Sequence, residues 1–241
     1  MNYLTGFHAI EERIKSGRAC GPMLMAKGGP RARELVNLAI NNKIRVDRVG
    51  TFDLDRIAPE HRGIALTVED IAACSAGINI EEFLSGLGGR RDVLVLVLDE
   101  ITDPHNYGAI LRSCDQFGVD LVVSRNRRNA KHAEVISKTS AGAVSWVPQA
   151  ETANLPRAVK DLKDAGFWVY GAEMEGDPPD ARDLRGRTAV ILGAEGSGIT
   201  RLLRENCDAM IGIPSLGKLD SLNVSVACGI LLYEVLRQRK K

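Results

Sequence analysis

Three short stretches of this 241-residue chain place polar side chains where aliphatic strands give way to helices. The first is Asp103-Pro104-His105-Asn106-Tyr107-Gly108-Ala109-Ile110-Leu111-Arg112. Asp103-Pro104 makes a turn, a helix begins near His105 or Asn106, and Arg112 follows about one and two-thirds turns after Asn106. A polar pair can thus stand at the mouth of a sheet. Taken alone, the stretch reads more readily with Asn106 as a helix cap and Arg112 as half of a surface ion pair. The second stretch is Leu192-Gly193-Ala194-Glu195-Gly196-Ser197-Gly198-Ile199. Its glycines let the backbone approach a ligand or turn with positive φ. Their spacing is neither a P-loop nor the dinucleotide fingerprint, and Glu195 would repel a phosphate while suiting hydroxyl, amine or sulfonium groups. The third runs from Ile213-Pro214 to Ser221-Leu222-Asn223-Val224-Ser225. Capping by Asp220 or Ser221 accounts for one polar residue there. Asn223 and Ser225 are then placed inside the first turn of a helix that is apolar on most sides. Buried amides and hydroxyls are costly unless bonded, so local backbone or a ligand must satisfy them.

The elements around these stretches alternate. DVLVLVLDE is an aliphatic run without alternation, the pattern of a strand covered on both faces of a parallel sheet. DLVVS, FWVYGAE, TAVILGAE and AMIGIP read as further strands. Between them lie the helical patterns NYGAILRSCDQFG, KHAEVISKTS, LPRAVKDLKDAG and SLNVSVACGILLYE. This predicts a doubly wound α/β domain over residues 92–241, with ligands bound beyond the carboxyl ends of the strands. The Gly-rich and charged stretch 77–91 reads as a linker. Before it, PMLMA, IRVDRV and GIALTVE alternate with two helical patterns, predicting a smaller α/β domain over residues 1–76.

Hydrophobic content of 44% supports a core, and the longest apolar runs fall far short of the roughly 20 residues of a membrane span. The N-terminus has acidic residues where a signal peptide needs apolar ones, so the chain is read as cytoplasmic. Five scattered cysteines suggest neither disulfides nor zinc. The net charge of +1 does not exclude a basic face. Basic clusters lie at Arg125, Arg127, Arg128, Lys131 and His132, and at Arg237, Arg239, Lys240 and Lys241.

In this order and spacing, Asn106-Tyr107-Gly108-Ala109-Ile110-Leu111-Arg112, Leu192-Gly193-Ala194-Glu195-Gly196-Ser197-Gly198 and Ile213-Pro214 with Ser221 to Ala227 resemble the three motifs of the SpoU (TrmH) family of RNA ribose 2′-O-methyltransferases. The resemblance spans about Val93 to Leu236. The N-terminal segment, with Gly6-Phe7-His8-Ala9-Ile10 and His61-Arg62-Gly63, resembles the L30e-like substrate-binding domain of the bacterial 23S rRNA guanosine-2′-O-methyltransferase subgroup.

The resemblance implies a SPOUT-type fold whose C-terminal part forms a deep trefoil knot, a homodimer, and S-adenosylmethionine as cofactor with no metal. It implies structured RNA as the partner, rRNA in preference to tRNA, and a guanosine of 23S rRNA as the target. Asn106, Arg112, Glu195, Ser221 and Asn223 then carry the catalytic work. Thr139, Ser140, Gly142, Leu192, Gly193, Gly196, Ile213 and Leu222 then line the cofactor pocket. A guanidinium is a poor base, so Arg112 is read as binding the phosphate beside the target ribose and polarising its hydroxyl. Arg45, Arg48, Arg56 and Arg62 are candidate phosphate ligands of the N-terminal domain. Two rival readings are a tRNA guanosine 2′-O-methyltransferase and a non-catalytic RNA-binding homologue. A dinucleotide-dependent oxidoreductase is disfavoured by the glycine spacing.

Overall fold

The computed structural model describes residues 2–15, 21–58, 61–68, 78–125, 130–218 and 221–240. The chain divides into two compact units: Met1–Ala76 with Ala141–Trp146, and Gly77–Ser140 with Val147–Lys241.

The first unit contains β1 (Asn2–Leu4), α1 (Phe7–Lys15), β2 (Met23–Met25), α2 (Pro30–Asn41), β3 (Val46–Arg48), α3 (Thr51–Ile57) and β4 (Ile64–Val68). The sheet order is β1-β4-β2-β3, antiparallel except at β2/β3. All of β4 is buried because both faces are covered. Ile64 and Leu66 join Met23, Ile10, Ile14 and Leu35 in one cluster, with Trp146 packed against it. Ala65, one residue out of phase, joins Leu24, Leu54 and Ala58 on the other side.

The second unit contains α4 (Ile80–Ser85), β5 (Val93–Leu98), α5 (Pro104–Phe117), β6 (Leu121–Arg125), α6 (Ala130–Thr139), β7 (Gln149–Thr152), α7 (Leu155–Asp164), β8 (Trp168–Asp177), β9 (Arg187–Leu192), α8 (Arg201–Asn206), β10 (Ala209–Ile211) and α9 (Val224–Arg239). Six strands form an all-parallel sheet in the order β10-β8-β9-β5-β6-β7. Every residue of β5 is buried, as its unbroken aliphatic run predicts. Val93, Val95 and Val97 pack with Leu155, Val159 and Leu162 of α7.

From β5 the chain moves outward to β6 and β7. It then crosses to β8 and comes back to β9 beside β5, before β10 extends the opposite edge. The direction of winding therefore reverses at the β5/β9 pair, where a doubly wound sheet opens a crevice. The register aligns Leu98 with Leu192 on one side and with Ser124 on the other. The loops after β5 and β9 thus start in one row.

Two parts of the chain differ from the sequence reading. Residues 77–91, expected as a linker, hold α4, whose Asn79 side chain caps it by accepting from Glu81 N at 2.8 Å. Ile78, Ile80, Phe83 and Leu84 pack on the second unit's core, so apolar residues at helical spacing outweigh the surrounding glycines. Residues 141–146, expected within 92–241, group with the first unit. The sequence reading also passed over β1, α3, β7 and α8, all of them seven residues or shorter.

Candidate active site

Asp103 caps α5: its carboxylate accepts from His105 N at 3.1 Å and Asn106 N at 3.3 Å, with Pro104 at the first helical position. Asn106 is therefore not the cap, and its side chain points to other partners. The left-handed Gly118, with φ of 69°, ends the helix. Gly108 lies where α5 meets α6, and a Cβ there would stand 2.7 Å from Thr139 Cβ.

The second stretch folds on itself. Ala194 N donates to Gly198 O at 3.1 Å and Gly198 N to Ala194 O at 2.9 Å, with φ of 88° at Gly196 and 66° at Gly198. A Cβ on Gly193 would lie 2.1 Å from the Gly198 carbonyl carbon. The glycine at 193 thus serves the loop's own closure before any ligand. Glu195 stands exposed at the tip.

Asn223 caps α9, which starts at Val224; the expected cap at Asp220 or Ser221 is incorrect, and Asp220 lies outside the described residues. Asn223 Oδ1 accepts from Ser225 N at 2.9 Å, Ser225 Oγ at 2.6 Å and Val226 N at 3.4 Å. The polar start of an apolar helix is therefore satisfied locally at these residues.

The three stretches then meet. Glu195 Oε1 accepts from Asn223 Nδ2 at 2.8 Å, Asn106 Nδ2 at 3.2 Å and Val224 N at 3.4 Å. Asn223 Nδ2 also donates to Asn106 Oδ1 at 3.0 Å. The carboxylate sits at the N-terminus of α9, where the helix dipole favours negative charge. With Oε1 taken by three donors, Oε2 makes no hydrogen bond among the described residues.

The remaining predicted residues are placed differently. Arg112 is exposed and makes no ion pair among the described residues. Six positions along α5 from Asn106, it is on another face of that helix and does not join the Asn106, Glu195 and Asn223 cluster. Ser221 is exposed and makes no hydrogen bond among the described residues. Leu222 is 43% exposed, Ile213 half-buried and Leu192 buried. Thr139 Oγ1 donates to Val135 O at 2.7 Å and Ser140 Oγ to Ser137 O at 3.2 Å, so both hydroxyls are engaged within their own turn. Gly142, with φ of 93°, groups with the first unit.

Sequence reasoning missed Asp103 as the cap and Tyr107 as a half-buried link. Tyr107 OH donates to Gln149 Oε1 at 3.0 Å and lies 3.4 Å from Ser124 Oγ, tying α5 to β6 and β7. Burial pushes its phenol up to about 12. The D-P pair two and three residues before Asn106 was the available signal for the cap.

Of the basic clusters, Arg127 and Arg128 lie outside the described residues, as do the side chains of Lys131 and His132, and Lys241. Arg125 pairs with Glu100 at 3.5 Å. Arg237 is bound to Glu234, and Arg239 donates to Val93 O and Gly186 O, so the C-terminal cluster is largely committed within the unit. In the first unit Arg45 pairs with Asp47 at 2.7 Å, whereas Arg48, Arg56 and Arg62 are exposed without an ion pair among the described residues. Arg62 has φ of 48°, beside a His61 ring fixed by Asp55 Oδ1 at 2.9 Å and Gly63 N at 2.7 Å. No group of three metal-ligating side chains is found among the described residues. Among them, no helix is long and apolar enough to cross a membrane.

The sequence profile of the SpoU rRNA Methylase family matches residues 93–233, and that of RNA 2′-O ribose methyltransferase substrate binding matches residues 3–73. The chain is 37% identical over 218 residues to an uncharacterised tRNA/rRNA methyltransferase of Borreliella burgdorferi, covering 88% of this chain and 96% of that protein. It is 36% identical to a Staphylococcus epidermidis protein named for the TrmH family of tRNA/rRNA methyltransferases, covering 98% and 95%. Its fold matches that of an AdoMet-bound rRNA methyltransferase from Sinorhizobium meliloti with a TM-score of 0.77 at 19% identity, over 98% of this chain and 87% of that one. The TrmH/SpoU tRNA modifying enzyme of A. aeolicus matches with a TM-score of 0.57 at 30% identity, over 67% and 84%.

Proposed function

We propose that this chain, which belongs to the SpoU family of S-adenosylmethionine-dependent RNA ribose 2′-O-methyltransferases, methylates a guanosine of 23S rRNA, as a homodimer in the cytoplasm. The observation that carries the reading is the closed hydrogen-bond cluster of Asn106, Glu195 and Asn223, which joins all three family motifs at the winding reversal of the sheet.

The residues present suit the cofactor. Leu222 and Ile213 offer exposed or half-buried apolar walls for an adenine, and the Glu195 carboxylate is the right sign for a sulfonium. When bound, S-adenosylmethionine supplies an electrophilic methyl group. The chain's own task is to orient a ribose hydroxyl and to handle its proton. Asn106 and Asn223 fix Glu195 through Oε1, which leaves Oε2 to accept a hydrogen bond from the ribose. Orientation of this kind is worth about 7–11 kcal/mol in well-aligned intramolecular reactions. Arg112, on a face of α5 away from this cluster, binds the phosphate next to the target ribose, and the hydroxyl proton leaves through that phosphate or a water.

Second-copy association is supported by α9. Val226, Ile230 and Tyr233 are 50%, 40% and 55% exposed at spacings of four and three, an apolar stripe on one face. The rRNA preference is supported by coverage. The likeness to the rRNA methyltransferase extends over both units, whereas that to the tRNA modifying enzyme leaves a third of this chain unmatched.

Mapping of 2′-O-methylated nucleotides in rRNA and tRNA, with and without the gene, tests the proposal. One guanosine of 23S rRNA should lose its methyl group in the deletion strain. Loss confined to tRNA would replace the substrate, and loss at no position would remove the activity.

A further inference from the structure

Asp99 follows β5 directly, and its side chain is fully buried. Its backbone N–H donates to Leu192 O at 2.8 Å, and its Oδ2 accepts from Thr200 N at 2.7 Å. Leu192 and Thr200 are the two stems of the loop that bears Glu195. One residue therefore grips both ends of that loop, the first through its main chain and the second through its carboxyl group. Asp99 Oδ1 has no hydrogen-bond partner among the described residues, so the only bond this side chain makes there is to the loop. Directly afterwards Glu100 takes φ of 58°, left-handed for a residue with a Cβ, and turns the chain away toward Asp103.

Inside the stems, the Ala194 and Gly198 backbone pair closes the tip, and the missing Cβ of Gly193 lets the two sides touch. Tip and stems are thus fixed by separate devices. The tip sets the shape of the turn, while the Asp99 bridge sets where the turn stands relative to β5. Since β5 also leads into α5, the position of Glu195 relative to Asn106 passes through Asp99.

We propose that Asp99 is a positioning residue of the methyl-donor pocket, which by bracing Leu192 and Thr200 sets where Glu195 stands relative to Asn106 and Asn223 without touching either reactant. The proposal rests on the reading of this site as the S-adenosylmethionine pocket. A buried bond that holds a loop controls how well the site is preorganised, so its loss is felt in cofactor affinity and turnover together.

Three variants of the full chain test it. Asp99→Ala removes the acceptor, and Asp99→Asn keeps an oxygen facing the Thr200 N–H. Thr200→Pro removes the donor alone, because Thr200 has φ of −60° and makes no side-chain cap bond. Asp99→Ala and Thr200→Pro should each weaken S-adenosylmethionine binding by calorimetry about tenfold or more and slow single-turnover methylation. RNA affinity measured without cofactor should stay within about twofold of wild type, and Asp99→Asn should recover most of the cofactor affinity. If the alanine protein does not fold, the proline and asparagine variants carry the comparison. Wild-type cofactor affinity in a folded Thr200→Pro protein, or an asparagine variant as impaired as the proline one, would overturn the assignment.

Hydrogen exchange across residues 193–199 without any ligand gives a separate readout. It should accelerate in Thr200→Pro and return toward wild type in Asp99→Asn. Unchanged exchange in Thr200→Pro would overturn the bracing role. A wild-type protein that fails to bind S-adenosylmethionine would instead overturn the pocket reading and leave the exchange result standing.

Discussion

Asn223 Nδ2 donates to Asn106 Oδ1 at 3.0 Å across 117 residues of chain, while Oδ1 of the same Asn223 side chain caps α9. One amide thus has a structural end and a site-building end. Asn223→Asp separates them: a carboxylate still caps the helix, but it offers no donor and faces Glu195 with like charge. Melting temperature should change by only a few degrees, whereas single-turnover methylation should fall about a hundredfold. Asn223→Ala should in addition lose about 1 kcal/mol of stability. A fully active aspartate variant would remove the cluster from the mechanism.

Gly108 and Gly229 predict opposite responses to the same substitution. At Gly108 a Cβ would meet Thr139 Cβ at 2.7 Å and Ile136 O at 3.0 Å. Gly108→Ala should therefore cost about 1–3 kcal/mol in urea unfolding, despite the better helix propensity of alanine. At Gly229 the nearest atom is Ser113 Oγ at 3.8 Å. Gly229→Ala should be more stable by about 0.5–1 kcal/mol.

Tyr107 sets a pH window. Burial raises its folded phenol to about 12 from the usual value near 10. Below the unfolded value both states are neutral and the contribution is fully present. As pH rises from about 10 to 12 only the unfolded chain ionises, and about 3 kcal/mol is lost. Tyr107→Phe should be less stable by about 1 kcal/mol at pH 7, because the hydrogen bond from its hydroxyl to Gln149 Oε1 is lost. Denaturation curves from pH 7 to 11.5 should show the variant's deficit shrinking as pH rises above about 10 and reversing near pH 11. A constant deficit would contradict the burial account.

Phosphate contacts by the first unit predict a steep salt dependence of RNA binding. Arg56 and Arg62 are exposed and unpaired among the described residues, whereas Arg45 already holds Asp47. Replacing either of the former with Ala should reduce the slope of log K against log salt by about 0.7–0.9. Arg45→Ala should change it less. Equal effects from all three would mean that none is a specific contact.

The second unit's strands were legible because burial on both faces leaves an unmistakable aliphatic run, as in Val93 to Leu98. Short elements carried too few residues to show a period: β7 has four residues and α8 six. The cluster residues Asn106, Glu195 and Asn223 could be singled out by type and motif order, but their mutual bonds depend on strand order and register, which no local pattern encodes. Thr139 and Ser140 are named by resemblance, and only the folded chain brings their hydroxyls to donate to Val135 O and Ser137 O. Asp103 and Asn223 each turned out to be the cap, one turn or less from where polar residues crowd, because several adjacent residues could serve and sequence does not rank them.

The grouping of Ala141–Trp146 with the first unit bears on how the protein is made. Ribosomes release a chain from its N-terminus, and a domain encoded without interruption can close as soon as its last residue emerges. Here the cluster around Ile10, Met23 and Leu66 lacks the Trp146 side chain until residue 146 has been synthesised, well after β5, α5 and β6 of the second unit are out. The N-terminal unit should therefore finish folding late, and a fragment cut at residue 76 should expose the apolar surface that Trp146 covers. Translation order and folding order are out of step in this molecule by about seventy residues of nascent chain.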